Sequence, residues 1–392
     1  MSERLGDILI AVIREELNGA DEISDTVRSQ ITAELLPDLY RLSKSQDLSH
    51  IVADALEKSG LLDDTEISQK FEKQKALSVF RYMQMDYDLN LLYDIFESNK
   101  IPYMPLKGSV IRDCYPTPEM RTSCDIDILV AKDDIEKAIE ALTSDAEYKT
   151  VKKTMHDVSL YSPSNTHLEL HHTLSETDEE NDFLSDNVWK TARVKHDTEY
   201  RYLMDNDTML AYLTVHAAKH FESGGCGVRP FMDFHILRKN IDFDLESVKK
   251  ILSVYGLETF FDKCMYLTDV WFGDKEHTEL TRNMQDFIVN AGAYGNVENR
   301  VAVKRKGETN KAKYILNRIF LPYGELCKQY KKLRKCPILY PYYTVARWLR
   351  MTFKGRKRVF SEIKNNTNVS DERAEFIRKM LDELDLNKKS IE

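Results

Sequence analysis

The sequence predicts an α+β protein in which a small α/β core with a mixed sheet is embedded between helical N-terminal and C-terminal regions. Apolar residues recur at helical spacing before this core and again after it. Between these stretches, short apolar runs bounded by turn residues alternate with one amphipathic helix, which is typical of a small mixed sheet. We expect four regions: a helical region over 1–99, the core over 100–200, a helical domain closing a cleft over 201–290, and a basic helical region over 291–392.

The first region is predicted to end in one long helix. Its apolar positions recur at helical spacing with few helix breakers between them, at Phe71, Leu77, Phe80, Met83, Leu89, Leu92 and Phe96. The chain begins MSERLGDILIAVIREELNG, which lacks the basic start and the small-residue cleavage site of a secretory signal. We therefore expect a packed amphipathic helix there.

The core is predicted from a series of short segments. IPYMPL is an extended run, SVIRDCY is a short helix capped by Ser109, and DIDILV is a strand. KDDIEKAIEALTS is an amphipathic helix, and EYKTVKK, DVSLYS and THLELHH are three further strands. SETDEENDFLSDN is an acidic loop, and residues 206–290 are helical with glycines marking one turn. NAGAYGNVENR is predicted to be a linker or flexible loop before the basic helical end.

The composition is that of a cytoplasmic globular protein. The chain of 392 residues is 42% hydrophobic and 31% charged, and none of its segments reaches the length of apolar sequence that a membrane span needs. Its six cysteines are scattered without a Cys-x-x-Cys pair, which argues against a zinc site and a disulfide framework.

The charge is distributed unevenly along the chain. Residues 301–358 hold 17 Lys and Arg against two acids, a net +15, whereas the whole chain carries −9. This basic segment predicts either a surface for phosphates, nucleic acid or an anionic membrane, or a solvated helical face that balances acidic neighbours.

Two aspartates, Asp125 and Asp127, alternate with isoleucines on the predicted strand DIDILV. Side chains on a strand alternate between faces, so both carboxylates point one way while the isoleucines point into the core. Two like charges on a buried strand are costly, and a divalent cation such as Mg²⁺ would compensate them. Alternatively, the strand lies at an edge and both aspartates are in solvent.

Three neighbouring features favour a metal and phosphate site. Lys107-Gly108-Ser109 lies where a strand turns into a helix, and a glycine there allows close approach to a phosphate. Glu169 lies between leucines on a later strand and can face the same cleft as the aspartates. Arg121 precedes the aspartate strand and could neutralise a substrate phosphate.

A Gly-Ser pair, then Asp-x-Asp on a strand, then one acid on a later strand is the pattern of the DNA polymerase β-like nucleotidyltransferase superfamily. The string LKGSVIRDCYPTPEMRTSCDIDILV, followed by HLELHH, HAAKH and RPFMDF, resembles the bacterial family of uncharacterised nucleotidyltransferases over roughly residues 70–350. The interval between Gly-Ser and the first aspartate is longer than the superfamily usually has, and Pro116 and Pro118 predict a rigid loop there. Asp157 is an alternative to Glu169 as the third acid.

The resemblance implies a polymerase β-like core and a transferase activity. Asp125, Asp127 and Glu169 would hold two Mg²⁺ ions, for which Mn²⁺ could substitute. A nucleoside monophosphate would pass from a nucleoside triphosphate such as ATP to an acceptor hydroxyl on an unidentified protein, RNA, sugar or small molecule. The implied nucleotide contacts are Lys107, Gly108, Ser109, Arg121, Lys219 and Asp233.

Three other interpretations stay open at this point. His216 and His220 share a helix face, as zinc ligands on a helix would, although core or capping histidines have the same spacing. His167, Glu169 and His171 alternate on one strand and could chelate the metal of a hydrolase. Finally, the chain could be a catalytically silent protein that binds nucleic acid or a membrane surface through its basic segment.

Overall fold

The computed structural model describes residues 2–154, 156–174, 183–305, 320–321, 323–354 and 369–387. It confirms the predicted α+β class, with a five-stranded mixed sheet between helical segments. Most of the predicted acidic loop and much of the basic segment 301–358 lie outside the described residues. Among the helices that are described, none has both the length and the apolar character needed to cross a membrane.

Five helices precede the sheet: α1 (Ser2–Leu17), α2 (Asp25–Arg28), α3 (Leu36–Ser45), α4 (Ser49–Lys58) and α5 (Glu66–Ser98). The long helix α5 is confirmed, and it begins where the Thr65 side chain accepts a hydrogen bond from the backbone of Ser68. Phe71 and Phe96 are fully buried near its two ends. In its middle, however, Phe80 and Met83 are 63% and 64% exposed, so the apolar positions of α5 are not all packed.

The sheet contains β1 (Tyr103–Pro105), β2 (Asp125–Val130), β3 (Lys149–Lys153), β4 (Asp157–Tyr161) and β5 (His167–His171). The strand order is β1-β2-β5-β4-β3, and β2 and β5 are parallel while the other neighbours are antiparallel. The strand β2 is therefore paired on both sides, which excludes the alternative of a solvated edge strand. The short helix α6 (Gly108–Ile111) follows β1, and α7 (Ile135–Asp145) follows β2.

The two faces of the sheet differ in polarity. Ile126, Ile128, Leu168 and Leu170 are buried in an apolar cluster with the second half of α5 and with α7. The alternate residues of β2 and β5 lie on the opposite face, and most of these are acids and histidines. The polar face of the sheet is thus the one that is not covered by α5 and α7.

The later elements are mostly helical, as predicted. A two-stranded ribbon of β6 (Arg193–Val194) and β7 (Tyr202–Leu203) follows α8. The helices are α8 (Phe183–Thr191), α9 (Asn206–Glu222), α10 (Arg229–Asn240), α11 (Leu245–Ser253), α12 (Glu258–Phe272), α13 (Glu279–Ala291), α14 (Val297–Lys304), α15 (Tyr323–Gln329), α16 (Lys331–Lys335), α17 (Tyr340–Lys354) and α18 (Asp371–Glu383). Residues of α1, α4, α9, α10, α12, α13 and α18 share one large apolar core.

The segment predicted to be a linker, NAGAYGNVENR, instead contains the end of α13, a tight turn over residues 292–296 and the start of α14. Gln46 donates hydrogen bonds from its amide to the carbonyls of Ile288 and Val289, at 3.1 and 2.9 Å. A Cβ on Gly225, whose φ is +112°, would lie 2.6 Å from the Cβ of Ala291. Glycine is required at this position because the backbone is left-handed and the neighbouring helix is in contact.

His235 on α10 is buried, and the pH dependence of stability tests that burial. Burial, followed by the charges of Lys239 and Arg238, lowers its pKa from 6.5 to about 4. Between these values the unfolded chain binds a proton that the folded chain does not, so stability is full above pH 6.5 and is lost as the pH falls toward 4. We expect this residue alone to lower the free energy of unfolding at pH 5 by about 2 kcal/mol relative to pH 8.

Urea unfolding of the native chain and of His235→Phe at both pH values measures this contribution. The free energy of unfolding should change less between pH 8 and pH 5 in the variant than in the native chain, by about 2 kcal/mol. An equal difference in both proteins would show that His235 is protonated in the folded state.

Candidate active site

The parallel pairing of β2 and β5 brings the predicted acids together. Asp125 is opposite His167, and Asp127 is opposite Glu169. Because paired residues on adjacent strands share a face, these four side chains lie on the polar face of the sheet. His171, two residues after Glu169, shares this face too.

Side-chain ligand atoms meet in two groups on this face. One group is Asp125, His167 and Glu169, and the other is Asp127, Glu169 and His171. Within each group the candidate ligand atoms all lie within 4.8 Å of one another. Glu169 belongs to both groups, so it occupies the position between the two aspartates. Carboxylate and imidazole donors at this spacing fit a divalent cation.

Asp157, the alternative third acid, lies one strand further from the aspartate pair. It begins β4 opposite His171, and its carboxylate accepts a hydrogen bond of 2.8 Å from the Thr154 hydroxyl. It belongs to neither ligand group in the described part of the chain. The geometry therefore places Glu169, and not Asp157, beside Asp125 and Asp127.

The charge of Asp127 is compensated within the protein. Lys107 donates to its Oδ1 at 2.9 Å, and His171 donates to the same oxygen at 2.8 Å. Burial alone would raise the pKa of Asp127, but the charge of Lys107 and the bond from His171 bring it well below its usual value. The repulsion expected between the two aspartates is thus offset here by a lysine and a histidine.

The backbone of Lys107 has an unusual conformation, with φ 46° and ψ −123°. Residues other than glycine rarely adopt a positive φ, because this conformation costs about 1–3 kcal/mol. Such backbone strain is typical of functional positions. The preceding residue is fixed as well, because the Leu106 amide donates to the Asp127 carbonyl at 3.0 Å. The chain therefore places the Lys107 ammonium against β2 at some conformational cost.

The two other acids are less well compensated. Burial and the neighbouring charge of Asp127 raise the pKa of Asp125 above its usual value. Burial and the charges of Asp127 and Asp125 raise the pKa of Glu169. Among the described residues, Lys107 is the lysine that forms an ion pair with one of these three carboxylates, and the remaining negative charge favours binding of a cation.

Gly108 and Ser109 begin the short helix α6 next to this face. The Gly108 carbonyl accepts a hydrogen bond of 2.7 Å from Arg112. Ser109 was predicted to cap this helix, but the helix already begins at Gly108 and the Ser109 side chain makes no capping bond. Its buried hydroxyl has no hydrogen-bond partner among the described residues.

Arg121 and Asp233 form a buried, two-pronged ion pair. The Arg121 Nε and Nη2 donate to the two carboxylate oxygens of Asp233, at 2.7 and 2.9 Å. The Tyr115 hydroxyl donates to the same carboxylate at 2.7 Å. The two groups are turned toward each other and away from solvent, and their role as nucleotide contacts stays a prediction. The pair fastens the proline-containing loop before β2 to α10.

One face of α9 carries Tyr212, His216, Lys219 and His220, at helical spacing. The pKa of His216 lies well below its usual value because of burial and the nearby charge of Lys107. Burial and Lys107 also lower the pKa of Lys219 and that of His220. The charge of Lys107 thus acts on all three of these α9 side chains. The two imidazole Nε2 atoms of His216 and His220 are 3.0 Å apart, but neither histidine belongs to a three-ligand group in the described residues.

Sequence reasoning missed three features of the site: the ion pair of Lys107 with Asp127, the hydrogen bond from His171 to Asp127, and the position of Tyr212 beside Lys107. Burial raises the pKa of the Tyr212 phenol to about 12, and its largest electrostatic partner is Lys107. The spacing in YLTVHAAKH, which repeats polar and aromatic residues every three or four positions, was the available signal for a helix face directed at the site.

Comparison with known proteins agrees with this geometry. The model of the uncharacterised nucleotidyltransferase family matches residues 33–273, which include β1 to β5, α9 and α10. Searches of curated proteins and of solved structures found no match. Because the matched residues are more than half of the sequence and include every acid of the two ligand groups, the chain belongs to the family of uncharacterised nucleotidyltransferases.

Proposed function

We propose that this protein transfers a nucleoside monophosphate from a nucleoside triphosphate to the hydroxyl group of an acceptor. The observation that supports this most directly is the meeting of Asp125, Asp127 and Glu169 on one face of the sheet, in two ligand groups that share Glu169. Family membership agrees with a transferase. The resemblance in sequence adds Mg²⁺ as the expected cation, with Mn²⁺ as a possible substitute.

The residues of the polar face fit a divalent cation, since each group supplies two carboxylates and one imidazole. Asp125, Asp127 and Glu169 would supply the negative charge that attracts it. When bound there, the cation would neutralise charge on the triphosphate and on the leaving pyrophosphate.

In the proposed reaction, the acceptor oxygen forms a bond to the α-phosphorus, and the bond from that phosphorus to the bridging oxygen of pyrophosphate breaks. Pyrophosphate leaves with the electron pair, and the hydroxyl proton passes to the Glu169 carboxylate or to solvent. Gly108 and the unpartnered hydroxyl of Ser109 would contact the phosphates.

The remaining residues position these groups. Lys107 holds Asp127, and Lys219 would contact the nucleotide from α9. We propose that the helices of residues 201–290 close the cleft, because α9 places its polar face next to Lys107. The pair of Arg121 and Asp233 would keep the loop before β2 in place instead of contacting nucleotide.

The activity is tested with ATP, CTP, GTP and UTP, each labelled at the α-phosphate, with Mg²⁺ or Mn²⁺ and a cell extract as the source of acceptors. We expect pyrophosphate release and a labelled product with the native chain, and neither with Asp125→Ala/Asp127→Ala. Transfer that persists in the double variant would contradict the proposal. Release of inorganic phosphate without a labelled product would instead indicate the hydrolase alternative.

A further inference from the structure

The two ligand groups on the polar face are not equivalent. In the group around Asp127, one carboxylate oxygen already accepts hydrogen bonds from Lys107 at 2.9 Å and from His171 at 2.8 Å. In the group of Asp125, His167 and Glu169, neither carboxylate forms an ion pair with a lysine or an arginine in the described residues. One group is therefore supplied with a cationic side chain, and the other is not.

The Lys107 ammonium is held firmly in the first group. Its side chain is 16% exposed and that of Asp127 is 6% exposed, so the ion pair is screened from water. Its backbone conformation, with φ 46°, is one that a lysine adopts only when its surroundings impose it. If the ammonium left, Asp127 would stay buried with His171 as its only hydrogen-bond donor among the described side chains. Such a loss is costly for a buried carboxylate.

A divalent cation on Asp127 would lie next to this ammonium. The two positive charges would repel each other strongly in a site with little water, because both would lie against the Asp127 carboxylate. In the described part of the chain, no lysine or arginine forms an ion pair with Asp125 or Glu169. His167 is also oriented, because its Nε2 lies 2.5 Å from the Ser159 hydroxyl.

We propose that this site takes a single divalent cation, bound by Asp125, His167 and Glu169, and that the Lys107 ammonium stands beside Asp127 in place of a second ion. This inference rests on the proposed function for its role in catalysis. It differs from the two ions that the sequence resemblance implies. Because one of the three ligands is an imidazole, the site favours a first-row transition metal over Mg²⁺, and Mn²⁺ is the paramagnetic probe for it.

The test is a titration of the full chain with Mn²⁺ in the absence of nucleotide, followed by electron paramagnetic resonance. The native chain should bind one ion. Asp125→Asn should weaken binding by about tenfold or more, whereas Asp127→Asn should still bind one ion with similar affinity. Lys107→Met should bind two ions. Two ions in the native chain, no saturable binding, or equal weakening by Asp125→Asn and Asp127→Asn would overturn the proposal.

A second readout identifies the nitrogen ligand. Pulsed measurements on bound Mn²⁺ should show a coupling to nitrogen that His167→Gln removes and His171→Gln retains, and the opposite pattern would overturn the assignment. Circular dichroism checks that each variant is folded. If Lys107→Met does not fold, the comparison of Asp125→Asn with Asp127→Asn decides.

The outcome is separable from that of the activity assay. Two bound ions together with nucleotide transfer would overturn the single-ion proposal and leave the proposed function. One bound ion without transfer from any of the four nucleotides would overturn the proposed function and leave the cation site.

Discussion

Replacing Glu169 by glutamine is expected to lower the rate of nucleotide transfer by about 10³-fold, equivalent to about 4 kcal/mol of transition-state stabilisation. Glu169 is the residue common to both ligand groups, and its carboxylate is one of the two proposed acceptors of the hydroxyl proton. Glutamine has nearly the same shape but neither the charge nor the basicity. Single-turnover rates at saturating nucleotide measure the effect.

Asp157→Asn is the matched control for this experiment. Asp157 is an acid at the start of the neighbouring strand β4, but its carboxylate is bound by Thr154 and it belongs to neither ligand group in the described residues. We expect its rate to stay within about threefold of the native rate, since substitutions away from the site typically cost little. A large loss in Asp157→Asn together with an active Glu169→Gln would identify Asp157 as the third acid.

Replacing Asp233 by alanine is expected to reduce the free energy of unfolding by about 3–5 kcal/mol. The substitution leaves the Arg121 guanidinium buried without its carboxylate, and it removes the acceptor of the Tyr115 hydroxyl. The pair joins the loop before β2 to α10, so we also expect the loop to lose protection from hydrogen exchange. Urea unfolding followed by circular dichroism measures the change in stability.

Two comparisons show whether the loss of stability in Asp233→Ala comes from the burial of this ion pair. Glu66→Ala removes a pair with Lys70 at the exposed start of α5, and we expect it to leave the free energy of unfolding nearly unchanged. Arg121→Met/Asp233→Leu removes both buried charges and should recover much of the lost stability. If Asp233→Ala were as mild as Glu66→Ala, the buried pair would not fasten the loop.

The sequence predicted the sheet and the position of its acids well, because those properties follow from local patterns. The alternation of aspartates with isoleucines predicts a strand with one polar face, and the structure buries Ile126 and Ile128 on the other face. The leucines flanking Glu169 predict the same alternation. Once β2 and β5 are parallel neighbours, their register places Glu169 beside Asp127.

The partners of these acids could not be predicted, because they depend on contacts between distant parts of the chain. Lys107 reaches Asp127 because its backbone between β1 and α6 has a positive φ. A lysine in the sequence gives no indication of such a conformation. Arg121 and Asp233 are separated by 112 positions in sequence. Each looked like a ligand for nucleotide because a charged residue near a site gives no sign of whether another residue already neutralises it.

The tight turn between α13 and α14 has a practical consequence for defining the smallest foldable fragment. The family match ends at residue 273, inside the sequence that packs as one core. Trp271 donates a hydrogen bond to Gln285, and the turn that follows α13 places the Tyr294 hydroxyl 2.8 Å from the Cys124 thiol, the residue before the first aspartate. A fragment cut at the family boundary would lose Phe287 and Ile288 from this core, and one cut after α14 would lose α18, so a fragment for expression should extend through residue 387.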